Sequence, residues 1–226
     1  SIPGEQDTSE AGEFAALCHD LGHPGKTLRW DATDAVDRYM TNEAYAVKLA
    51  RAIGFIATRP ENINRKGLVH SGSAANAKRL TDLLSRYLGQ RAYSHGVGHN
   101  YTREEALEEF IGSQEPRILV TASFTTGLDL PYVIGWQVVA KVPFGSLGDE
   151  ITARRRAFKL PNGFAFGQKT YEAECANTVV QACGRINRTP TDCGPTYILD
   201  GNWDLVKTKA FLPKFFLDAY SKFVLQ

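Results

Sequence analysis

The sequence predicts an α/β protein, a parallel sheet with helices on both faces, and three observations carry that expectation. From Lys66 onward one theme recurs: a short apolar run, a Gly/Ser-rich break and then a helical pattern, which is how strand–loop–helix units read. Five such runs interleave with five helical patterns, as a parallel sheet with crossover connections requires. With 226 residues, 43% of them hydrophobic, the chain is long and apolar enough to bury one large core.

In chain order, the strands fall near "KGLVHS" (66–71), "RAYSH" (91–95), "PRILVTA" (116–122), "GWQVVAKV" (135–142) and "GPTYILD" (194–200). Helical patterns fill "AANAKRLTDLLSRYL" (74–88), "TREEALEEFI" (102–111), "DEITARRRAF" (149–158), "EAECANTVVQACGRI" (172–186) and "KTKAFLPKFFLDAYSKFVL" (207–225), the last broken at Pro213. Residues 1–65 read differently, as a helical and loop-rich connection or insertion preceding a domain over 66–226. Within them "TNEAYAVKLARAIGFI" (41–56) is an amphipathic helix, and "GEFAALC" (12–18) is a short Ala-rich piece with helical spacing.

Composition narrows the function. No apolar run approaches the roughly 20 residues a membrane helix needs, and "SIPGEQDTSE" has neither the basic flank nor the apolar centre of a signal peptide. A soluble, cytoplasmic protein is expected. With 26 basic and 25 acidic residues the net charge is +1, so any contact with nucleic acid must come from local patches. Cys18, Cys175, Cys183 and Cys193 form no C-x-x-C pair, and His19, His23, His70, His95 and His99 form no H-E-x-x-H pattern. No metal site is expected, and the thiols read as reduced and mostly buried.

"DLGHPGKT" invites a phosphate-binding reading that its residues refuse. A P-loop needs glycine at the position of Asp20, whose carboxylate would oppose a phosphate, and Pro24 removes one of the N–H donors. An ordinary Pro-Gly turn carrying Lys26 is the better account.

Ligands of open parallel sheets bind beyond the carboxyl ends of the strands. Three places stand out. In "TASFTTGLDLP", the hydroxyls of Thr121, Ser123, Thr125 and Thr126 and the N–H of Gly127 suit phosphate oxygens, and Asp129 suits a ribose hydroxyl or an arginine; a hydroxyl-rich turn reads the same way. In "SGSAANAKRL", Ser71, Gly72 and Ser73 lead into a helix whose first N–H groups favour an anion, while Ser73 is equally a plain N-cap. On a helix, "NTVVQACGRINR" puts Asn177, Gln181, Gly184, Arg185 and Arg188 on one face and Val179, Val180, Ala182, Cys183 and Ile186 on the other. Two guanidiniums one turn apart suit a phosphate, or else a pair of structural carboxylates. The basic run Arg154, Arg155, Arg156 and Lys159 borders a nucleic-acid path or is a solvated face.

"QACGRINRTPTDCG" resembles motif VI (Q-x-x-G-R-x-x-R) of the DinG/XPD-type superfamily 2 ATP-dependent DNA helicases. "ILVTASFTTGLDLP" resembles motif V of that group, "VVAKVPFGSLGDEITARRRAF" the stretch between them, and "GLVHSGSAANAKRLTDLL" motif IV. The matches come in family order across Gly67 to Asp200. The resemblance implies a RecA-like fold lacking its own P-loop: the second of two motor domains, whose N-terminal partner in the same protein carries the P-loop and the metal motif. It implies half of a site for ATP with Mg²⁺, in which Arg185 and Arg188 act on the γ-phosphate, one as an arginine finger, with Gln181, Gly184, Gly127 and Asp129 beside the nucleotide. Ser71, Gly72, Ser73, Thr121, Ser123, Thr125 and Arg155 would follow single-stranded DNA. From the residues alone, a non-enzymatic nucleic-acid or nucleotide-binding module remains open, as does a small-molecule enzyme using Asp129, His70 or His95 as a base.

Overall fold

The structure, a computed structural model, describes residues 16–18, 43–96, 101–122, 133–146, 148–186, 193–200, 203 and 210–222. In order these form β1 (Ala16–Cys18), α1 (Glu43–Thr58), β2 (Gly67–His70), α2 (Ala74–Leu88), β3 (Ala92–Ser94), α3 (Arg103–Gly112), β4 (Ile118–Thr121), β5 (Trp136–Val139), α4 (Glu150–Ala157), α5 (Phe166–Cys183), β6 (Thr196–Ile198), α6 (Lys214–Ala219) and β7 (Ser221–Lys222). The strands make a seven-stranded sheet in the order β3-β4-β2-β5-β6-β1-β7. Every ladder is parallel. The five strands expected from the sequence occupy its first five places.

Side-chain alternation divides the core between the two faces of this sheet. Ala92, Ile118, Val120, Val69, Trp136, Val138 and Tyr197 point to one face, where Leu49, Ile53 and Ile56 of α1 and Leu80 and Leu84 of α2 cover them. On the other face Leu68, Tyr93 and Leu119 meet Ala106 and Phe110 of α3. Further along that face Val139 and Ile198 meet Cys175, Val179 and Ala182 of α5 and Phe216 of α6. Asn62, fully buried, ties the end of α1 to the sheet by donating to Ile56 O at 2.9 Å and to the Tyr197 hydroxyl at 3.1 Å.

Helix starts follow local chemistry. Ser73 caps α2 by accepting from the Asn76 N–H at 3.2 Å, as its position before "AANA" predicts. Thr102 and Glu105 close a reciprocal capping box on α3.

Three sequence expectations are corrected. In "GEFAALC" the described residues Ala16–Cys18 are not helical but form a strand paired on one side with β6 and on the other with β7. Two ladders outweigh the small intrinsic preference of three residues for a helix. Of the C-terminal helix expected over 207–225 and broken at Pro213, the described residues show a helix only over Lys214–Ala219, after that proline, and a strand, β7, at Ser221–Lys222. Pairing of Ser221 and Lys222 with β1 ends it. The helix expected over 172–186 begins earlier, at Phe166, and ends at Cys183, so that Gly184 and Arg185 lie beyond it.

Close packing of β2 on β5 needs glycine at position 67. A Cβ on Gly67 would lie 2.2 Å from Cζ2 of the fully buried Trp136, its neighbour in register. Gly67→Ala is therefore expected to destabilise the protein by ~1–3 kcal/mol, the usual cost of overpacking a core, read as a lower urea midpoint at unchanged slope.

Candidate functional site

Two groups of sequence-singled residues sit at opposite ends of the strands. At the carboxyl ends of β2 and β4, the Ser71 N–H donates to Thr121 O at 2.9 Å. The Ser71 hydroxyl lies 2.9 Å from Thr121 O and 3.0 Å from Ser73 O, and Asn76 Nδ2 donates to Ser71 O at 3.1 Å. Ser71 and Thr121 are both buried, and Thr121 Oγ1 is 3.3 Å from His95 Nε2. Both hydroxyls thus join the loops to one another, and the outward surface belongs to Gly72, Ser73 and the first turn of α2.

Gly72 is exposed with φ 80°, a conformation that suits glycine, and the Lys141 side chain covers it closely enough to come 3.1 Å from an added Cβ. The aliphatic stem of Lys141 thus packs over a left-handed glycine at a helix N-terminus, where free N–H groups favour an anion. Lys141 was not foreseen from the sequence; its signal was the charge just past the apolar run "WQVVA".

At the other end, α5 delivers its C-terminus to the starts of β5 and β6. Helices end with unpaired carbonyls, and here a buried side chain reaches them. Gln137 Nε2 donates to Ala182 O at 2.8 Å, to Cys183 O at 3.2 Å and to Thr196 Oγ1 at 2.7 Å. Its Oε1 lies 3.3 Å from His70 Nε2. His70, Gln137 and Thr196 are all fully buried. Gln137 also escaped the sequence reading, although one amide inside "GWQVVA" was a visible break in an otherwise apolar strand.

Beyond this anchor the chain turns. The Gly184 N–H donates to Val180 O at 3.0 Å and the Arg185 N–H to Ala182 O at 3.1 Å. Ile186 is buried against Gly194, whose Cβ would lie 2.9 Å from Ile186 Cγ2 and 2.4 Å from Gly135 O. Arg65 fastens the same corner by donating to Cys193 O at 2.6 Å. Arg185 is half-buried in the turn, and Asn177 and Gln181 are exposed on the helix before it. Val179, Ala182, Cys183 and Ile186 are buried and Val180 is half-buried, so over the described residues the apolar face turns inward, while Gly184 and Arg185 are past the helical residues. Gly184 is in ordinary helical conformation, and a Cβ there would meet nothing nearer than Val180 O at 3.6 Å. Its own surroundings do not demand glycine, leaving the position open to close approach from outside.

Arg155 is exposed on α4, away from this turn. Arg188, Gly127, Asp129, Ser123 and Thr125 lie outside the described residues, as does the "GHPGKT" stretch. Among the described residues no three His, Cys, Asp or Glu gather as a metal site would need, and no helix is long and apolar enough to cross a membrane.

Two outcomes follow from this geometry. Gln137→Leu leaves the α5 carbonyls and the Thr196 hydroxyl buried without their donor, and is expected to cost ~1–3 kcal/mol in urea unfolding. Burial pushes the thiols of Cys175 and Cys183 up to about 12. In the native protein both should resist a thiol reagent at mildly alkaline pH while the exposed Cys193 reacts, and all three should react after unfolding.

Comparison with known proteins agrees with this architecture. Comparison with curated protein sequences yields no match. Among solved structures, the fold superposes on Xpd4 of S. tokodaii with a TM-score of 0.56 at 16% identity, covering 93% of this chain and 38% of that one. An XPD helicase superposes with a TM-score of 0.55 at 15% identity, covering 92% and 35%, and Dbp5 of S. cerevisiae bound to RNA and ADP BeF3 with 0.51 at 16%, covering 80% and 39%. The chain thus spans well under half the length of each. The sheet is that of the RecA-like helicase domains, and residues 58–216 match the helicase C-terminal domain family. With its parallel sheet, its crossover helices and most of its length accounted for in this way, the chain belongs to the helicase C-terminal domain family.

Proposed function

We propose that the chain is the second motor domain of an ATP-dependent DNA helicase, presenting the turn after α5 to a nucleotide held mainly by an N-terminal RecA-like domain of the same protein. The observation that carries this is the anchored turn itself: Gln137 holds the last carbonyls of α5, so that Gly184 and Arg185 follow in a set geometry with Gln181 exposed beside them. Dbp5, of like fold, is seen with RNA and ADP BeF3, which supports reading a nucleotide and a nucleic acid here.

ATP supplies the phosphoryl group when bound. Arg185 and Arg188 contribute positive charge where charge develops on the transferred group, Gly184 allows close approach, and Gln181, Gly127 and Asp129 line the nucleotide side. As the family resemblance implies, the ligands of Mg²⁺ belong to the first domain. At the opposite strand ends, Gly72, Ser73 and Lys141 face single-stranded DNA, and the buried Ser71 and Thr121 shape the loop that presents them. Ser123, Thr125 and Arg155 extend that path. Buried, reduced thiols at Cys175 and Cys183 suit a cytoplasmic setting.

In the full-length protein, Arg185→Ala should leave the melting temperature and DNA binding nearly unchanged while hydrolysis falls by about 10³, the scale of an arginine finger. Arg188→Ala should behave alike, and Arg→Lys should rescue poorly because an ammonium lacks the forked contact. Single-turnover hydrolysis and thermal melting of the same variants check this; a destabilised variant with normal turnover per folded molecule would refute it. The isolated chain should hydrolyse no ATP above background, since positioning and charge neutralisation depend on both domains.

A further inference from the structure

The segment joining α4 to α5 exposes more aromatic surface than its packing explains. Phe158, Phe164 and Phe166 are 54%, 48% and 48% exposed, and the Phe158 and Phe166 rings meet edge to face at 6.3 Å between centroids. The segment is a closed hairpin. The Gly167 N–H donates to Phe158 O at 2.9 Å and the Leu160 N–H to Phe164 O at 3.0 Å, and Gly163 turns the tip with φ 78°. The two arms cross so closely that a Cβ on Gly167 would lie 1.8 Å from Arg155 O.

Between the arms lies a cleft of about 390 Å³ lined by Ala153, Ala157, Ala165, Arg156, Lys159 and Gln168. Three alanines make an apolar floor, and two cations and an amide stand around it. The Arg156 guanidinium is held in place 5.5 Å above the Tyr171 ring and is bonded to Gln168. Across residues 149–174 Arg154 is paired with Glu150 and Lys169 with Glu172, and the cations clustered about the cleft are Arg155, Arg156 and Lys159.

We propose that this hairpin binds single-stranded DNA through its bases, the Phe158 and Phe166 rings and the alanine-floored cleft taking flat aromatic faces while Arg155, Arg156 and Lys159 take the adjoining phosphates. The ligand must be both polyanionic and rich in flat apolar faces, which are the two properties of an unpaired strand. A folded protein partner answers the exposed rings but not the cluster of Arg155, Arg156 and Lys159 beside them, and duplex DNA answers the cations but hides its bases.

Position agrees with chemistry. The chain leaves the carboxyl end of β5, lays Lys141 over Gly72, and returns to α5 where Phe144 stacks on Tyr171 at 5.5 Å and the Tyr171 hydroxyl donates to Gly145 O at 2.7 Å. The hairpin is thus continuous with the strand-end surface assigned to DNA. The inference rests on the helicase reading above and adds to it a base contact in a motor otherwise expected to hold backbone.

The test compares fluorescence-anisotropy titrations of full-length protein with labelled oligo-dT and with a label-matched abasic strand of equal length. The double variant Phe158→Ala/Phe166→Ala should bind oligo-dT about tenfold more weakly, the scale of one to two stacked bases, and the abasic strand as before. Phe158→Leu/Phe166→Leu, which keeps apolar bulk without a ring, should show the same selective loss, and guards against a misfolded alanine variant. Arg155→Ala should weaken both ligands and reduce the salt slope by about one. Unchanged oligo-dT affinity in the leucine variant, or equal loss for both strands, overturns the base contact. DNA-independent ATP hydrolysis should be unaltered in the phenylalanine variants; its survival in Arg185→Ala instead would strike the helicase reading and leave the selective loss of oligo-dT binding as it stands.

Discussion

A single buried amide sets the relation between the two ends of this domain. Gln137 enters from the start of β5, donates to the last carbonyls of α5 and to Thr196 of β6, and meets His70 of β2 through its oxygen. Helix dipoles concentrate negative charge at C-termini, so α5 ending inside the protein would be costly without a donor. With that donor, the orientation of α5 is tied to three neighbouring strands. The turn carrying Gly184 and Arg185 inherits its position from a side chain in a different strand.

The sheet then separates two kinds of work. Where β2 and β4 end, hydroxyls of Ser71 and Thr121 stitch loops together, and Gly72 is left exposed beneath the Lys141 stem. Where β5 and β6 begin, glycines at 135 and 194 let the backbone close tightly under Ile186. His70 belongs to both places, being the last residue of β2 and a partner of Gln137. The two ends of the strands therefore share one buried polar cluster.

Arginine serves different ends in different surroundings here. Arg65 and Arg117 bond to neighbouring backbone carbonyls and carboxylates and close corners of the fold. Arg154 merely pairs with Glu150 one turn away, an exposed contact of little energetic weight. Arg156 is held in one orientation by a ring and an amide. Residue type alone does not separate these roles; the neighbours do.

The sequence by itself determined the α/β class, the five central strands, the capped start of α2 and the division of α5 into polar and apolar faces. Each of these rests on interactions within a few residues of chain: alternation, helical periodicity and a serine beside free N–H groups. Only the tertiary structure decided that Ala16–Cys18 and Ser221–Lys222 are strands, because their stabilising partners are distant in sequence and three or two residues carry too little preference of their own. It likewise decided that the hydroxyls of Ser71 and Thr121 turn inward, that α5 stops at Cys183, and that Gln137 rather than any motif residue anchors the turn. Those outcomes follow from which buried donor finds which carbonyl, and that pairing exists only once the strands lie side by side.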